Sequence, residues 1–142
     1  MALCMRLIEL WIRLLDWWNG SESDLGRRGE RLAEHHYRRQ GCAILARNWR
    51  HGQDELDLVV LDREVLVFAE VKTRTAAEGG EGYYAVNQRK KRALRRAARG
   101  WLREIGGAPH LRFDVIEVLV CHKGTVRILH HCGEVLFGRH RS

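Results

Sequence analysis

The sequence of 142 residues contains only one proline. Its four cysteines are scattered, and no two of them form a C-x-x-C pair. The shortage of proline excludes a proline-rich or collagen-like chain. Scattered cysteines without a secretory cleavage pattern favour reduced thiols and a cytoplasmic location. Hydrophobic residues make up 45% of the chain and charged residues 30%, a balance typical of one folded domain.

The sequence also lacks a long uninterrupted apolar run. Its first 18 residues are rich in Leu, Ile and Trp, but charges recur at steps of three, four and three residues: Arg6, Glu9, Arg13 and Asp16. A membrane span needs about 20 mostly apolar residues, so residues 2–18 predict an amphipathic helix instead. We expect this helix to dock on the domain or on a protein partner. The chain then divides into an N-terminal helix with its linker (1–22) and a domain (23–142).

Helical and strand periods alternate along the predicted domain. A helix is predicted from an N-cap at Asp24 to Gly41, and the glycine-rich stretch 78–82 predicts a loop. The other predicted elements are strands at 42–49, 55–61 and 65–74, a helix at 84–105, and a hairpin of strands at 111–121 and 125–132. This order, α-β-β-β-α-β-β, predicts an α/β fold with a central mixed sheet flanked by helices.

Charged residues interrupt two of the apolar strands. Side chains alternate faces along a strand, so Glu70 and Lys72 point the same way. If the hairpin pairs Leu61 with Leu66, Asp57 falls opposite Glu70, whereas a slip of one residue would put the two acids on opposite faces. An unpaired charge is costly inside an apolar strand, which favours a functional role for these residues.

The pairing of two acids with a lysine predicts a particular chemistry. Opposed carboxylates repel each other, and a divalent cation resolves the repulsion. Ligation by carboxylates alone suits Mg²⁺ or Mn²⁺. A lysine on the same face can orient an attacking water and stabilise charge that develops on a phosphate. Asp57, Glu70 and Lys72 thus form a set suited to metal-assisted phosphodiester hydrolysis. The alternative is an ordinary solvent-facing strand pair, because an E-x-K triplet alone is very common.

Basic residues are concentrated in segment 87–104, where their excess alone accounts for the formal net charge of +7. Lys90 lies on the apolar stripe of this helix, so we expect it to face the sheet and reach towards a phosphate. The outer arginines are expected either to contact the DNA backbone without reading sequence or simply to be solvated. The predicted nucleic-acid-binding residues are Lys90, Arg89, Arg92, Arg96, Arg99 and Arg74.

Short motifs follow one another in a fixed order along most of the chain. They are Gly29-Glu30, Ile44-Leu45, Arg47-Asn48-Trp49-Arg50, Glu55-Leu56-Asp57-Leu58, Leu66-Val67-Phe68, Glu70-Val71-Lys72-Thr73-Arg74 and Arg112-Phe113-Asp114-Val115. This series, between Gly26 and Val120, resembles the bacterial YraN-like family. That family is similar to the PD-(D/E)xK nucleases and to Holliday-junction resolvases. Asp54 stands where the family usually has glycine, and it adds a negative charge at the mouth of the site.

The resemblance implies a restriction-endonuclease-like core and an endonuclease that depends on Mg²⁺ or Mn²⁺ and acts on DNA, including branched DNA. Asp57 and Glu70 would hold the metal, Lys72 would position the attacking water, and Glu30 would be the helix-borne acid that completes or orients the metal shell. Junction-cutting enzymes commonly act as dimers, so a homodimer is compatible with this function. The alternative is an inactive nucleic-acid-binding or interaction module of the same fold.

Overall fold

The computed structural model describes residues 22–75, 87–134 and 136. Two helices, α1 (Glu22–Arg39) and α2 (Gln88–Ile105), accompany a five-stranded sheet. The strands are β1 (Ala43–His51), β2 (Asp54–Asp62), β3 (Val65–Thr75), β4 (Leu111–Val120) and β5 (Val126–His131), and they lie across the sheet in that order. The predicted α/β class and element order are therefore confirmed. The expected helix at 2–18, its linker and the glycine-rich loop lie outside the described residues.

The sheet is mixed because one connection differs from the rest. Neighbouring strands are antiparallel except for β3 and β4, which are parallel. A parallel pair needs a crossover, and helix α2 lies between these two strands in the chain. Among the described residues, neither helix is long and apolar enough to cross a membrane.

Each face of the sheet is covered by one helix. On the face that we call the α2 face, Leu94 of α2 packs with Val59 and Phe68. On the opposite face, the α1 face, Ala33 and Tyr37 of α1 pack in a second cluster with Leu58, Val60 and Val67. The three-layer arrangement leaves both faces of the central strands buried, which explains their nearly continuous apolar sequence.

Three predicted boundaries were wrong by a few residues. Helix α1 begins at Glu22, so the expected N-cap Asp24 lies inside the helix, where it pairs with Arg27. Helix α2 begins at Gln88 rather than near residue 84, because Asn87 has an extended backbone and its side chain accepts the Lys90 N–H as a cap. Strand β1 continues to residue 51, two residues beyond its predicted end at 49, and the turn to β2 follows at residues 52 and 53.

Candidate active site

The β2–β3 hairpin has the register that the sequence favoured. Leu61 pairs with Leu66, and a two-residue turn joins Asp62 to Val65. The ladder then runs regularly as far as Leu58 opposite Ala69. The next residues in this register are Asp57 and Glu70, so the two acids lie beside each other where the ladder ends.

The backbone pairing of the sheet is interrupted at Asp57 on both sides. The β1–β2 ladder passes from Leu58 directly to Leu56 and skips Asp57, and the β2–β3 ladder stops before it. Asn48, its neighbour in the β1 register, has a left-handed backbone with φ 46°. The Asp57 carboxylate instead accepts the backbone N–H of Val71 at 2.8 Å. A side chain therefore replaces a backbone acceptor at this point of the sheet.

Glu70 is the most enclosed acid of the cluster, with 1% of its surface exposed. Its Oε1 is 2.9 Å from the ammonium of Lys72 and 3.2 Å from that of Lys90. Its Oε2 is buried and has no hydrogen-bond partner among the described residues. Buried carboxylate oxygens nearly always have a partner, so this oxygen is available to a ligand that the protein itself does not supply.

The electrostatics of Asp57 follow from this crowding of acids. Burial, and next the negative charge of Glu70, raise the pKa of the Asp57 carboxyl to about 8. The Val71 N–H and the Lys90 ammonium oppose this rise, and the charge of Glu30 adds to it. A carboxyl that is reluctant to ionise beside other acids is a site at which a cation restores the charge balance.

Glu30 reaches the site because α1 approaches β3 very closely. A Cβ built on Gly29 would lie 1.7 Å from Oγ1 of Thr73, so only glycine allows this contact. Glu30, the next residue of the helix, accepts a hydrogen bond from the Asn48 amide at 3.1 Å. Asn48, the left-handed residue opposite Asp57, thus also holds Glu30, the acid on helix α1, in place.

Lys90 faces the sheet, as its place on the apolar stripe predicted. It belongs to the first turn of α2, and its backbone N–H donates to the side chain of the N-cap Asn87 at 2.9 Å. The cap fixes the start of the helix, and the ammonium of Lys90 reaches Glu70 from there. Four of the predicted site residues, Asp57, Glu70, Lys72 and Lys90, therefore form one cluster, with Glu30 beside it.

The arginines predicted to bind nucleic acid fall into two groups. Arg89, Arg92 and Arg99 are exposed on the outer side of α2. Arg96 instead forms a two-bond ion pair with Asp54, with distances of 2.8 and 2.9 Å. This pair holds the pKa of Asp54 below its usual range, and it neutralises the charge that the sequence suggested at the mouth of the site.

Arg74 is also engaged within the protein. Its guanidinium pairs at 2.7 Å with Glu117, a fully buried acid of β4 that the sequence analysis missed. Glu117 lies next to Lys72 in the parallel register, and His131 contacts its other oxygen at 2.8 Å. A signal was present, because Glu117 interrupts an apolar run between Val115 and Val120 just as Asp57 interrupts its own strand.

A second group of potential ligands lies under α1. Ligand atoms of Asp114, His130 and Cys132 lie within 4.8 Å of one another. Asp114 already accepts hydrogen bonds from Tyr37, His130, the Gly133 N–H and twice from Arg112. Although burial raises its pKa, the bonds from His130 and Arg112 hold it at about 2. A satisfied carboxylate beside a guanidinium fits an internal polar network better than a metal site.

The fold and the cluster together define an α/β protein with a buried acid–lysine site where the backbone pairing of its sheet is interrupted. The chain belongs to the family described as uncharacterised protein family UPF0102, whose model matches residues 29–118. This membership confirms the YraN-like family that the motif series indicated. The match includes Glu30, Asp57, Glu70, Lys72 and Lys90.

Relatives of the same family are similar over most of their length. A UPF0102 protein of Parafrankia sp. (strain EAN1pec) is 46% identical over 110 residues, which cover 77% of this chain and 93% of the relative. One of Frankia alni is 48% identical over 107 residues, covering 75% and 89%. One of Pelotomaculum thermopropionicum is 45% identical over 108 residues, covering 75% and 90%.

Proposed function

We propose that the protein is a metal-dependent endonuclease that hydrolyses phosphodiester bonds in DNA, with a core of the restriction-endonuclease-like, PD-(D/E)xK type. The observation that carries this proposal is the unused oxygen of Glu70. Two lysines bind one oxygen of this buried carboxylate, while the other has no hydrogen-bond partner among the described residues. The charge of Glu70 acts on Asp57, its neighbour in the register. A purely structural ion pair would be expected to satisfy both oxygens.

The available donors fit a hard divalent cation. Asp57 and Glu70 would hold it through carboxylate oxygens, and Glu30 is close enough for its charge to act on Asp57. An all-oxygen set of this kind suits Mg²⁺ or Mn²⁺ rather than a thiophilic metal. The bound cation would supply the positive charge that polarises the scissile phosphate and activates water.

The lysines supply the remaining chemistry. Lys72 lies 2.9 Å from Glu70 and is partly exposed, so its ammonium can orient a water molecule and stabilise negative charge on a phosphate. Lys90 approaches the same carboxylate from α2, with 36% of its side chain exposed, and provides a second contact for the phosphate. The exposed arginines of α2 continue this positive surface away from the acids and suit a DNA backbone.

Replacement of Lys72 by methionine tests the catalytic assignment. We expect the rate of DNA cleavage to fall about 100-fold or more, because the charge that supports the transition state is removed. Mn²⁺ binding should persist, since both carboxylates remain. The measurement uses labelled junction, flap, single-stranded and duplex DNA with Mg²⁺ or Mn²⁺, followed by titration calorimetry with Mn²⁺.

Lys123→Met, at the exposed turn between β4 and β5, serves as the matched control and should cleave like the wild type. The proposal would be contradicted if the wild type bound every substrate without cleaving it and if Lys72→Met bound the substrates equally well. That outcome would instead support the alternative of a nucleic-acid-binding module without turnover.

The raised pKa of Asp57 predicts how Mn²⁺ binding depends on pH. The metal needs the ionised carboxylate, so binding below pH 8 must displace a proton from Asp57. We expect the affinity to rise by up to about tenfold per pH unit between pH 6 and 8 and then to level off. Calorimetry in buffers of different ionisation enthalpy measures the released proton. An affinity that is flat over this range, without proton release, would show that the metal displaces no proton from Asp57 and would contradict this prediction.

A further inference from the structure

An aromatic stack lies at the end of β1, apart from the acid–lysine cluster. The rings of Trp49 and His51 are nearly parallel, with centroids 5.8 Å apart and planes inclined by 7°. Trp101 of α2 meets Trp49 edge-on, at 5.6 Å and 86°. Trp49 is therefore fixed between the helix and His51, whereas His51 is exposed.

The contacts of His51 show which part of the imidazole is exposed. A Cβ built on Gly100 would lie 2.7 Å from its Nδ1 and 3.0 Å from Cη2 of Trp49, so the helix backbone packs against the edges of both rings. Arg103 approaches the other nitrogen, Nε2, at 3.4 Å. One face of the imidazole lies on Trp49 and its two nitrogens are turned to α2. The second face of the ring is turned away from Trp49, and His51 as a whole is exposed.

Positive charge lies beside this face. Arg99 and Arg103 are exposed on α2, on the side of the sheet that carries His51, and Arg96 neutralises the neighbouring Asp54. A flat aromatic face with arginines beside it is suited to a base that is unpaired and to the phosphates next to it. Duplex DNA offers only base edges and phosphates along its length, so it does not use such a face.

The distance from His51 to the acid pair, Asp57 and Glu70, allows one nucleic-acid strand to contact both. Lys90 contacts Glu70, and Gly100 contacts His51 ten residues further along the same helix. At 1.5 Å per residue these points are about 15 Å apart, which corresponds to about four stacked nucleotides. A strand that runs along α2 can therefore contact both places.

We propose that His51, supported by Trp49, is a stacking platform for an unpaired nucleobase. The inference rests on the proposed function and narrows its substrate class to DNA that carries a single-stranded segment, such as a flap, a fork or a frayed end. The base stacks on the face of His51 that is turned away from Trp49, and Arg99 and Arg103 bind the neighbouring phosphates.

The platform is tested by measuring DNA binding under conditions in which cleavage cannot occur. Fluorescence anisotropy in EDTA compares three labelled ligands: a single strand, the corresponding duplex, and a single strand with abasic sites. We expect His51→Ala to weaken single-strand binding about tenfold and to leave duplex and abasic binding within twofold of the wild type. His51→Phe keeps the aromatic face and should bind the single strand almost as the wild type does. His35→Ala, an exposed histidine of α1, is the matched control.

The proposal is overturned if His51→Ala binds the single strand like the wild type, or if it weakens all three ligands equally. It is also overturned if His51→Phe loses as much affinity as His51→Ala. The test separates the hypothesis of a stacking platform from the hypothesis of nuclease function. Loss of single-strand binding in His51→Ala together with absence of cleavage by the wild type contradicts only the nuclease function. Intact cleavage with unchanged binding by His51→Ala contradicts only the platform.

Discussion

Replacement of Asp57 by asparagine is expected to abolish Mn²⁺ binding and DNA cleavage and, at the same time, to make the metal-free protein more stable. The loss follows from the removal of one of two carboxylate ligands. The gain follows from the pKa of Asp57, which burial and the charge of Glu70 raise to about 8 in the folded protein. Asparagine keeps an oxygen that can accept the N–H of Val71, so the local hydrogen bond survives.

The sign of the stability effect is set by the protons that each state binds. An unfolded aspartate has a pKa of about 3.9, so between about pH 4 and 8 the folded protein holds more protons at Asp57 than the unfolded chain does. Stability attributable to this group therefore falls as the pH rises through that window. We expect Asp57→Asn to gain roughly 2–4 kcal/mol at pH 8, with the gain shrinking steadily towards pH 4.

Urea unfolding in EDTA from pH 5 to 8, together with calorimetry with Mn²⁺, measures both effects. Glu55→Gln is the matched control, because Glu55 lies on the same strand and pairs with the exposed Arg50. This variant should bind Mn²⁺ normally and change stability by less than about 0.5 kcal/mol. An Asp57→Asn protein that is less stable than the wild type at pH 8 would contradict the electrostatic account of the site.

Replacement of Gly29 by alanine is expected to have the largest effect on stability outside the acid pair. The new methyl group would lie 1.7 Å from Oγ1, 2.9 Å from Cβ and 3.1 Å from Cγ2 of Thr73, so helix or strand must move. We expect the free energy of unfolding to fall by about 2–4 kcal/mol, even though alanine favours a helix. Because the shift displaces Glu30, Mn²⁺ affinity should fall as well.

A second glycine in the same helix provides the control. Nothing lies within 4 Å of a Cβ built on Gly26, so Gly26→Ala should stabilise the protein, by about 1 kcal/mol, through helix propensity alone. Thr73→Ala removes Oγ1 and Cγ2 and should recover part of the loss when it is combined with Gly29→Ala. Urea unfolding of the two single variants and the double variant gives the coupling energy. Equal effects of Gly26→Ala and Gly29→Ala would refute the close contact.

Much of the candidate site could be predicted from local periodicity. Alternation along β3 put Glu70 and Lys72 on one face, and the short turn set the register that brings Asp57 beside them. The helical stripe turned Lys90 towards the sheet. In each case one regular element, or two elements joined by a tight turn, determines the geometry.

Features that depend on contacts between distant elements could not be predicted in this way. The pairing of Arg96 with Asp54 joins α2 to β2, and the contact of Gly29 with Thr73 joins α1 to β3. Periodicity shows which way a side chain points on its own element but not which partner it meets. For the same reason the motif containing Asn48 could be recognised, while its left-handed backbone and its bond to Glu30 could not.

The irregular backbone of β1 also affects how the sheet meets other molecules. Within the described part of the chain β1 is an edge strand, and the side on which no described strand lies would be a template for another β-strand if it were straight. Its register shifts between Ile44 and Ala46, Asn48 departs from the extended conformation, and Arg47 and Arg50 are exposed. The distortion that interrupts the pairing at Asp57 therefore also protects this edge against aggregation, and it disfavours assembly of two copies through a continuous sheet at β1.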